Sequence, residues 1–159
     1  MINIKSLEIF DIQKKDINFK YIFSPFQQNN LIIISAKMFF EPKGNIKELL
    51  ETTRKNLKSK TETQPYNLPS FGSVFKNPTN DYAGKLIEEL GLKGLKIGGA
   101  EVSTMHANFI VNSSTANSKD ILDLITVIQQ KVLQKKGIFL QPEVRMLSLI
   151  HISEPTRPY

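Results

Sequence analysis

The sequence predicts an α+β fold in which about three helices pack on a small mixed or antiparallel sheet. Three observations carry this. Apolar residues recur at helical spacing in capped stretches; short runs rich in β-branched and aromatic residues lie between them; and Gly, Pro and Asn mark the boundaries. With 159 residues, 40% hydrophobic and 23% charged, the chain is long enough for one domain with a real core.

The N-terminal part reads as β. Ile4 to Ile12 alternates apolar and polar residues, and Leu31 to Phe40 is a β-branched and aromatic run, with Ser24 to Asn30 as the loop between them and Pro42 to Gly44 closing the second strand. A helix is expected from Asn45, which with Glu48 has the form of a capping box; Ile46, Leu49, Leu50, Thr53 and Leu57 line one face. Lys58 to Gln64 reads as a polar loop. Asn80 or Asp81 is expected to cap a short second helix with Ala83, Leu86, Ile87 and Leu90 as its stripe and Gly91 just past its end. The segment from Gly91 to Gly99 is punctuated by glycine but contains neither a dinucleotide fingerprint nor a P-loop. Asn108 to Asn112 is a short strand. The third helix is capped by Asn117 or Ser118, carries Ile121, Leu124, Ile125, Ile128 and Val132 on one face, places Lys131, Lys135 and Lys136 where the helix dipole favours cations, and stops at Gly137. Ile138 to Leu140 is then a strand running into Pro142 to Arg145.

Composition narrows the functional classes. Without cysteine there are no disulfides or thiolate sites, and two histidines are too few for a zinc cluster, so no metal is expected. No apolar run reaches the length of a membrane span and the first residues lack a secretory apolar core, which makes a cytoplasmic protein with no membrane partner the expectation. The net charge of +6 would suit an anionic ligand. The lysines are scattered and do not interleave with aromatics, so no nucleic-acid partner is expected.

The residues with the most chemistry lie in Pro69-Ser-Phe-Gly-Ser-Val-Phe-Lys-Asn-Pro78. Gly72 lets the backbone turn or approach a ligand, and Ser73 places a hydroxyl beside two apolar residues; the ordinary alternative is a turn serine. This stretch is one of several that together resemble the UDP-N-acetylenolpyruvoylglucosamine reductase (MurB) family, in its shorter subtype. The others are Thr63-Gln-Pro65, Ala83-Gly84 with Leu86-Ile87, Gly91-Leu-Lys-Gly94, Ile97-Gly-Gly-Ala100, His106-Ala-Asn-Phe-Ile-Val-Asn112 and Pro142-Glu-Val-Arg145, in the family's order.

The resemblance implies a reaction in which NADPH reduces FAD and hydride then reaches the enolpyruvyl double bond of UDP-N-acetylenolpyruvoylglucosamine, giving UDP-N-acetylmuramate for the cell wall. It makes Ser73 the proton donor and Glu143 the second catalytic residue. Lys76 and Asn77 are matched to UDP-sugar contacts, and His106 and Asn108 to the substrate's neighbourhood. Read without the family, Glu143 is a strand-end carboxylate that could pair with Arg145, Lys76 and Asn77 a solvated turn, and His106 a structural histidine.

The chain departs from the family pattern in three places. The glycine-rich FAD loop has no counterpart, so residues 1–43 are expected to be the end of a flavin-binding region and 44–146 the substrate-binding domain. An arginine of the family motif Tyr-Arg-x-Ser stands opposite Ile22 in Tyr21-Ile-Phe-Ser24. Residues 147–159, from Leu147-Ser-Leu-Ile-His-Ile-Ser onward, read as the in-frame translation of a sequencing-library adapter rather than native protein. The chain is accordingly expected to be a monomeric fragment that neither retains FAD nor turns over. The rival expectation is a flavin-free module for a UDP-sugar or another anionic ligand.

Overall fold

The computed structural model describes residues 1–27, 30–40 and 44–146. They fall into two compact units, one within Met1–Lys43 and one within Gly44–Ser148.

The first unit is made largely of turns. β1 (Ile2–Asn3) pairs antiparallel with β2 (Leu31–Ile32); the expected strand over Ile4–Ile12 does not form beyond an isolated bridge from Ile9 to Ile2, and that over Leu31–Phe40 goes no further than β2. Local hydrogen bonding overrides the alternation in the first. The Asn3 carboxamide accepts from the backbone N–H groups of Lys5 and Ser6, and Leu7 N–H donates to Asn3 O, so the chain turns where it was expected to extend. In the second, residues 33–40 make no ladder among the described residues, and a strand without a neighbour has nothing to satisfy its backbone. Short 3-10 turns occupy Lys14–Asp16 and Pro25–Gln27, the latter within the expected loop. The expected strand end at Pro42 and the adapter-like residues 147–159 lie outside the described residues.

The second unit holds the core and the expected α+β architecture. α1 (Ile46–Thr63) is capped by Asn45, whose carboxamide accepts from Lys47 N–H at 2.9 Å, without the reciprocal bond from Glu48 that a full box requires. The polar run Lys58–Thr63, expected as loop, continues this helix. Thr61 and Thr63 satisfy their hydroxyls on Leu57 O and Ser59 O one turn back, and Lys58 pairs with Glu62 at the i,i+4 spacing. The stripe Ile46, Leu49, Leu50 and Leu57 is exposed, and α1 buries none of its residues.

Four short strands form one antiparallel sheet in the order β3 (Ser70–Ser73), β6 (Phe109–Asn112), β5 (Ala100–Val102), β4 (Lys96–Ile97). Only β6 was read as a strand in the sequence, one residue longer. β4 and β5 turn on Gly98-Gly99, two residues that pass so close to residues 115–116 and to Asp120 that no side chain fits. α3 (Ser118–Lys136) packs on β4 and β5, and α2 (Ala83–Glu89) packs on α3. Their stripes are as expected: Ala83, Leu86 and Ile87 from α2 and Leu124, Ile125, Ile128 and Val132 from α3 are buried with Val74, Phe75, Val102 and Leu140 in a single cluster. Each large aliphatic side chain removed from water here contributes about 1.5–3 kcal/mol.

α3 starts with a complete capping box between Asn117 and Asp120 and ends at Gly137, which takes φ 68°. The Asp120 carboxylate accepts from Asn117 N–H and also from Gly99 N–H, tying the hairpin turn to the helix; those two backbone donors hold its carboxyl below the ordinary 3.8. Residues 138–140 do not form a ladder strand, as had been expected. The backbone pairing falls slightly later, where Lys76 N–H donates to Gln141 O and Glu143 N–H to Val74 O.

Candidate functional site

The segment Ser73–Asn77 leaves the end of β3 and is held from both sides. On one side Val74 N–H donates to Asn108 O at 2.9 Å, and the buried Asn108 carboxamide makes a reciprocal pair with Phe75, accepting from its N–H at 3.0 Å and donating to its carbonyl at 2.8 Å. On the other side lie the bonds to Gln141 and Glu143. Phe75 points its ring into the core and is 1% exposed, so the segment is anchored by packing as well. Gly72, just before it, takes φ 84°, a region open to glycine and strained for other residues.

This segment ends at the first turn of α2. The sequence suggested Asn80 or Asp81 as the cap, but the helix starts after Tyr82, whose side chain makes no capping bond. Asn77 Oδ1 instead accepts from Ala83 N–H at 3.0 Å, and Asp81 Oδ1 accepts from Tyr82 N–H. A residue six positions upstream thus satisfies one of the orphan donors at the helix start.

Between these elements lies an open cavity of about 380 Å³, lined by Ser73, Asn77, Tyr82, Gly84, Lys85, Glu88 and the stretch Met105–Asn108. It brings together four residues singled out in the sequence: Ser73, Asn77, His106 and Asn108. Lys76 and Glu143 do not line it, although the backbone of each is fastened to the same short segment. Ser73 is exposed; Asn108 is buried and its carboxamide is engaged with Phe75, so what it contributes to the cavity is chiefly the position of its neighbours. Ile22 lies in the first unit, within the Lys20–Phe23 turn, at φ 53°, which is uncommon for a β-branched residue.

Sequence reasoning did not put Tyr82, Gly84, Lys85, Glu88 and Met105 at the site. One signal was available. A glycine inside a helix costs stability relative to alanine, and Gly84 is tolerated because a Cβ there would come within 3.2 Å of His106 Cε1 and press on Asn108. The charged side chains of the wall are already paired: Lys85 with Asp81 at 3.2 Å and with Glu89 at 3.8 Å, and Glu88 with Lys93 at 2.6 Å. The bond to Asp81 raises the Lys85 ammonium's pKa, so this cation stays charged at any physiological pH.

His106 is half-buried, and its Nδ1 accepts from Asn108 N–H at 3.2 Å, which leaves the ring proton of the neutral form on Nε2. Burial is the main influence on its pKa and lowers it from 6.5, with nearby Lys93 acting in the same direction. A base with a depressed folded pKa binds fewer protons than in the unfolded chain. Stability is therefore full above 6.5 and declines as pH falls from there toward the folded value. An NMR titration of the imidazole is expected to give a midpoint below 6.5, and His106→Gln to remove this contribution from the acid limb of stability. A midpoint above 6.5 would contradict the burial of the ring.

The fold and the cavity describe a class first: an α+β unit that presents a hydroxyl, a carboxamide and a neutral imidazole at one small polar cavity. The comparisons make it specific. Residues 64–147 match the model for the UDP-N-acetylenolpyruvoylglucosamine reductase, C-terminal domain, and the chain belongs to that family. It is 82% identical over 147 residues to the UDP-N-acetylenolpyruvoylglucosamine reductase of Prochlorococcus marinus subsp. pastoris, covering 92% of this chain and 50% of that protein. It is 49% identical over 138 residues to the reductase of that name from Synechococcus sp. strain CC9605, covering 87% of this chain and 46% of that protein. A crystal structure of the enzyme from Thermus caldophilus aligns with a TM-score of 0.49 at 36% identity, over 61% of this chain and 34% of that one. The chain spans about half the length of the curated relatives it matches.

Proposed function

We propose that this chain carries the substrate-binding and proton-delivering part of a reductase that converts UDP-N-acetylenolpyruvoylglucosamine to UDP-N-acetylmuramate, with FAD and NADPH as cofactors of the whole enzyme. The observation that supports it most is the meeting of Ser73, Asn77 and His106 at one cavity, with Glu143 fastened by its backbone beside Ser73. On this reading residues 44–146 are the substrate-binding domain and 1–43 the end of a flavin-binding region.

Reduction of the enolpyruvyl double bond builds negative charge next to the substrate carboxylate, and fixed donors are what such charge requires. Asn77 and the Nε2–H of His106 are the donors for substrate oxygens. Ser73 gives its hydroxyl proton to the carbanionic α-carbon and is left as the alkoxide; a hydroxyl is a weak acid, but a carbanion is a strong enough base to take its proton. Glu143 steadies the charged intermediate, and Lys85 on the cavity wall, with Lys76 in the segment that ends there, serves as a cation for the diphosphate.

The described residues do not fit FAD itself. Residues 1–43 contain no glycine, so they hold no glycine-rich phosphate loop. The two long helices have their N-terminal donors engaged by their own caps, Asn45 in one and Asn117 with Asp120 in the other. The part assigned to this chain is therefore the substrate and the proton, not the hydride.

A flavin-free module for a UDP-sugar is favoured as a second reading by one feature: every residue lining the cavity belongs to the second unit. Calorimetric titration of UDP-N-acetylglucosamine into the purified chain tests what both readings share. Heat that saturates with the UDP-sugar, and not with N-acetylglucosamine alone, is expected; no heat would remove both. Purified without added cofactor, the chain is expected to show no flavin absorbance and no NADPH oxidation. A yellow protein that oxidises NADPH only with the enolpyruvyl substrate present would overturn the assignment of the hydride step to other residues.

A further inference from the structure

We propose that Asn108 is a positioning residue for the cavity, a side chain that takes the place of a missing strand residue and sets where Ser73 and Asn77 stand. The part of this inference that concerns proton delivery rests on the reading of Ser73 given above; the positioning itself does not.

β3 and β6 pair antiparallel with Ser73 opposite Phe109, and the pairing runs one step further, to the bond from Val74 N–H to Asn108 O. The next step would need backbone groups opposite Phe75. The chain cannot provide them, because it turns at His106, whose carbonyl accepts from Phe109 N–H. The Asn108 side chain supplies them instead. Its carbonyl accepts from Phe75 N–H and its amide donates to Phe75 O, the two bonds a strand residue would have made. Asn108 is 5% exposed, so water does not compete for this pair.

The consequence falls on the site. Ser73 lies two residues before Phe75 and Asn77 two residues after it, and both line the cavity. Glu143 is bonded to Val74 O, within the same held stretch. Releasing Phe75 from Asn108 would loosen one of the two sides that hold the backbone between the hydroxyl and the carboxamide, while leaving the bonds to Gln141 and Glu143 and the rest of the sheet in place. The device needs a donor and an acceptor on two separate atoms spaced like a peptide's N–H and C=O, which among short side chains only a carboxamide or a protonated carboxyl offers.

That requirement supplies the test. In Asn108→Asp the ionised side chain accepts from Phe75 N–H but cannot donate to Phe75 O, whereas the protonated acid can do both. Burial raises a carboxyl's pKa, so the acid form is accessible at about pH 5 and the carboxylate dominates at about pH 8. Amide exchange, corrected for its intrinsic pH dependence, would be followed by NMR in the full chain for wild type, Asn108→Asp and Asn108→Ala. At the higher pH Asn108→Asp is expected to lose only the bond to Phe75 O, read as a shift of the Phe75 carbonyl carbon that reverses at the lower pH, with the amide protection of Phe75, Val102 and Val111 kept and with Ser73 and Asn77 resonances following the Phe75 carbonyl. Asn108→Ala is expected to lose protection at both. A Phe75 carbonyl shift that does not depend on pH in Asn108→Asp, Phe75 protection kept in Asn108→Ala, a loss at Val102 and Val111 equal to that at Phe75, or unmoved Ser73 and Asn77 resonances would each overturn the proposal. UDP-N-acetylglucosamine added to the same samples separates the two claims. If wild type does not bind it, the functional reading fails and the exchange data still decide the role of Asn108.

Discussion

Phe75→Ala is expected to lower the unfolding free energy of the chain's second unit by about 3–5 kcal/mol, the range for emptying a buried aromatic position. The ring is 1% exposed and sits in the single buried cluster with Val74, Leu124, Ile128 and Leu140, so its removal empties space inside that cluster. A loss of this size approaches the whole stability of a small domain. The backbone of Phe75 is also the one Asn108 holds, and so the substitution strikes packing and site together. Urea denaturation followed by circular dichroism measures the first effect. A loss below about 1 kcal/mol would mean that the ring is not packed as described.

Gly99→Ala is the second large effect. A Cβ at this position would lie 2.2 Å from Ala116 N and 2.5 Å from Thr115 C, both backbone atoms that cannot rotate away. Either the hairpin between β4 and β5 or the start of α3 must move, and moving either breaks the bond from Gly99 N–H to Asp120. Overpacking of this kind costs about 1–3 kcal/mol. Gly91→Ala is the control: Gly91, unlike Gly99, has positive φ, and no atom stands within 4 Å of a Cβ there, so it carries backbone strain without a collision. A smaller loss at Gly99 than at Gly91, read from the same urea curves, would contradict the close approach.

The two results bear on what could be read from sequence. The helical stripes of α2 and α3 were legible because each element buries the face its periodicity marks, and Asn117 and Gly137 lie at the ends of α3 as local chemistry requires. α1 was legible as a helix, but its length was not. The run Lys58–Thr63 is polar on all sides and looked like loop; as helix its threonine hydroxyls are satisfied one turn back and Lys58 pairs with Glu62, neither of which an apolar period reveals. The strands at the N-terminus were over-read because alternation speaks of a face to be buried, and says nothing of whether a neighbouring strand is there to pair with.

The site divides in the same way. Ser73 and Asn77 could be found by motif, since a hydroxyl after a glycine and an amide before a proline are local features. The closing of the cavity could not, because it depends on contacts distant in sequence: Asn108 with Phe75, Asn77 with Ala83, and Gly84 against His106. Asn108 shows the limit most clearly. A polar residue at the start of a strand near a candidate site reads as a ligand contact, and its carboxamide turns out to be engaged with backbone 33 positions away. Glu143 remains an expectation from the motif, close to Ser73 along the backbone pairing but not on the cavity wall.

The most direct test of the account is an NMR titration of the full chain with UDP-N-acetylglucosamine, following every backbone amide. The account predicts saturating shifts at Ser73, Asn77, Gly84 and His106, with a dissociation constant between about 10 μM and 1 mM for a ligand lacking the enolpyruvyl group. The amides of Arg54 and Leu57 in α1, a helix that gives no residue to the cavity wall, are expected to stay unmoved. Saturating ligand that leaves the cavity residues where they are, or shifts confined to other parts of the chain, would contradict it.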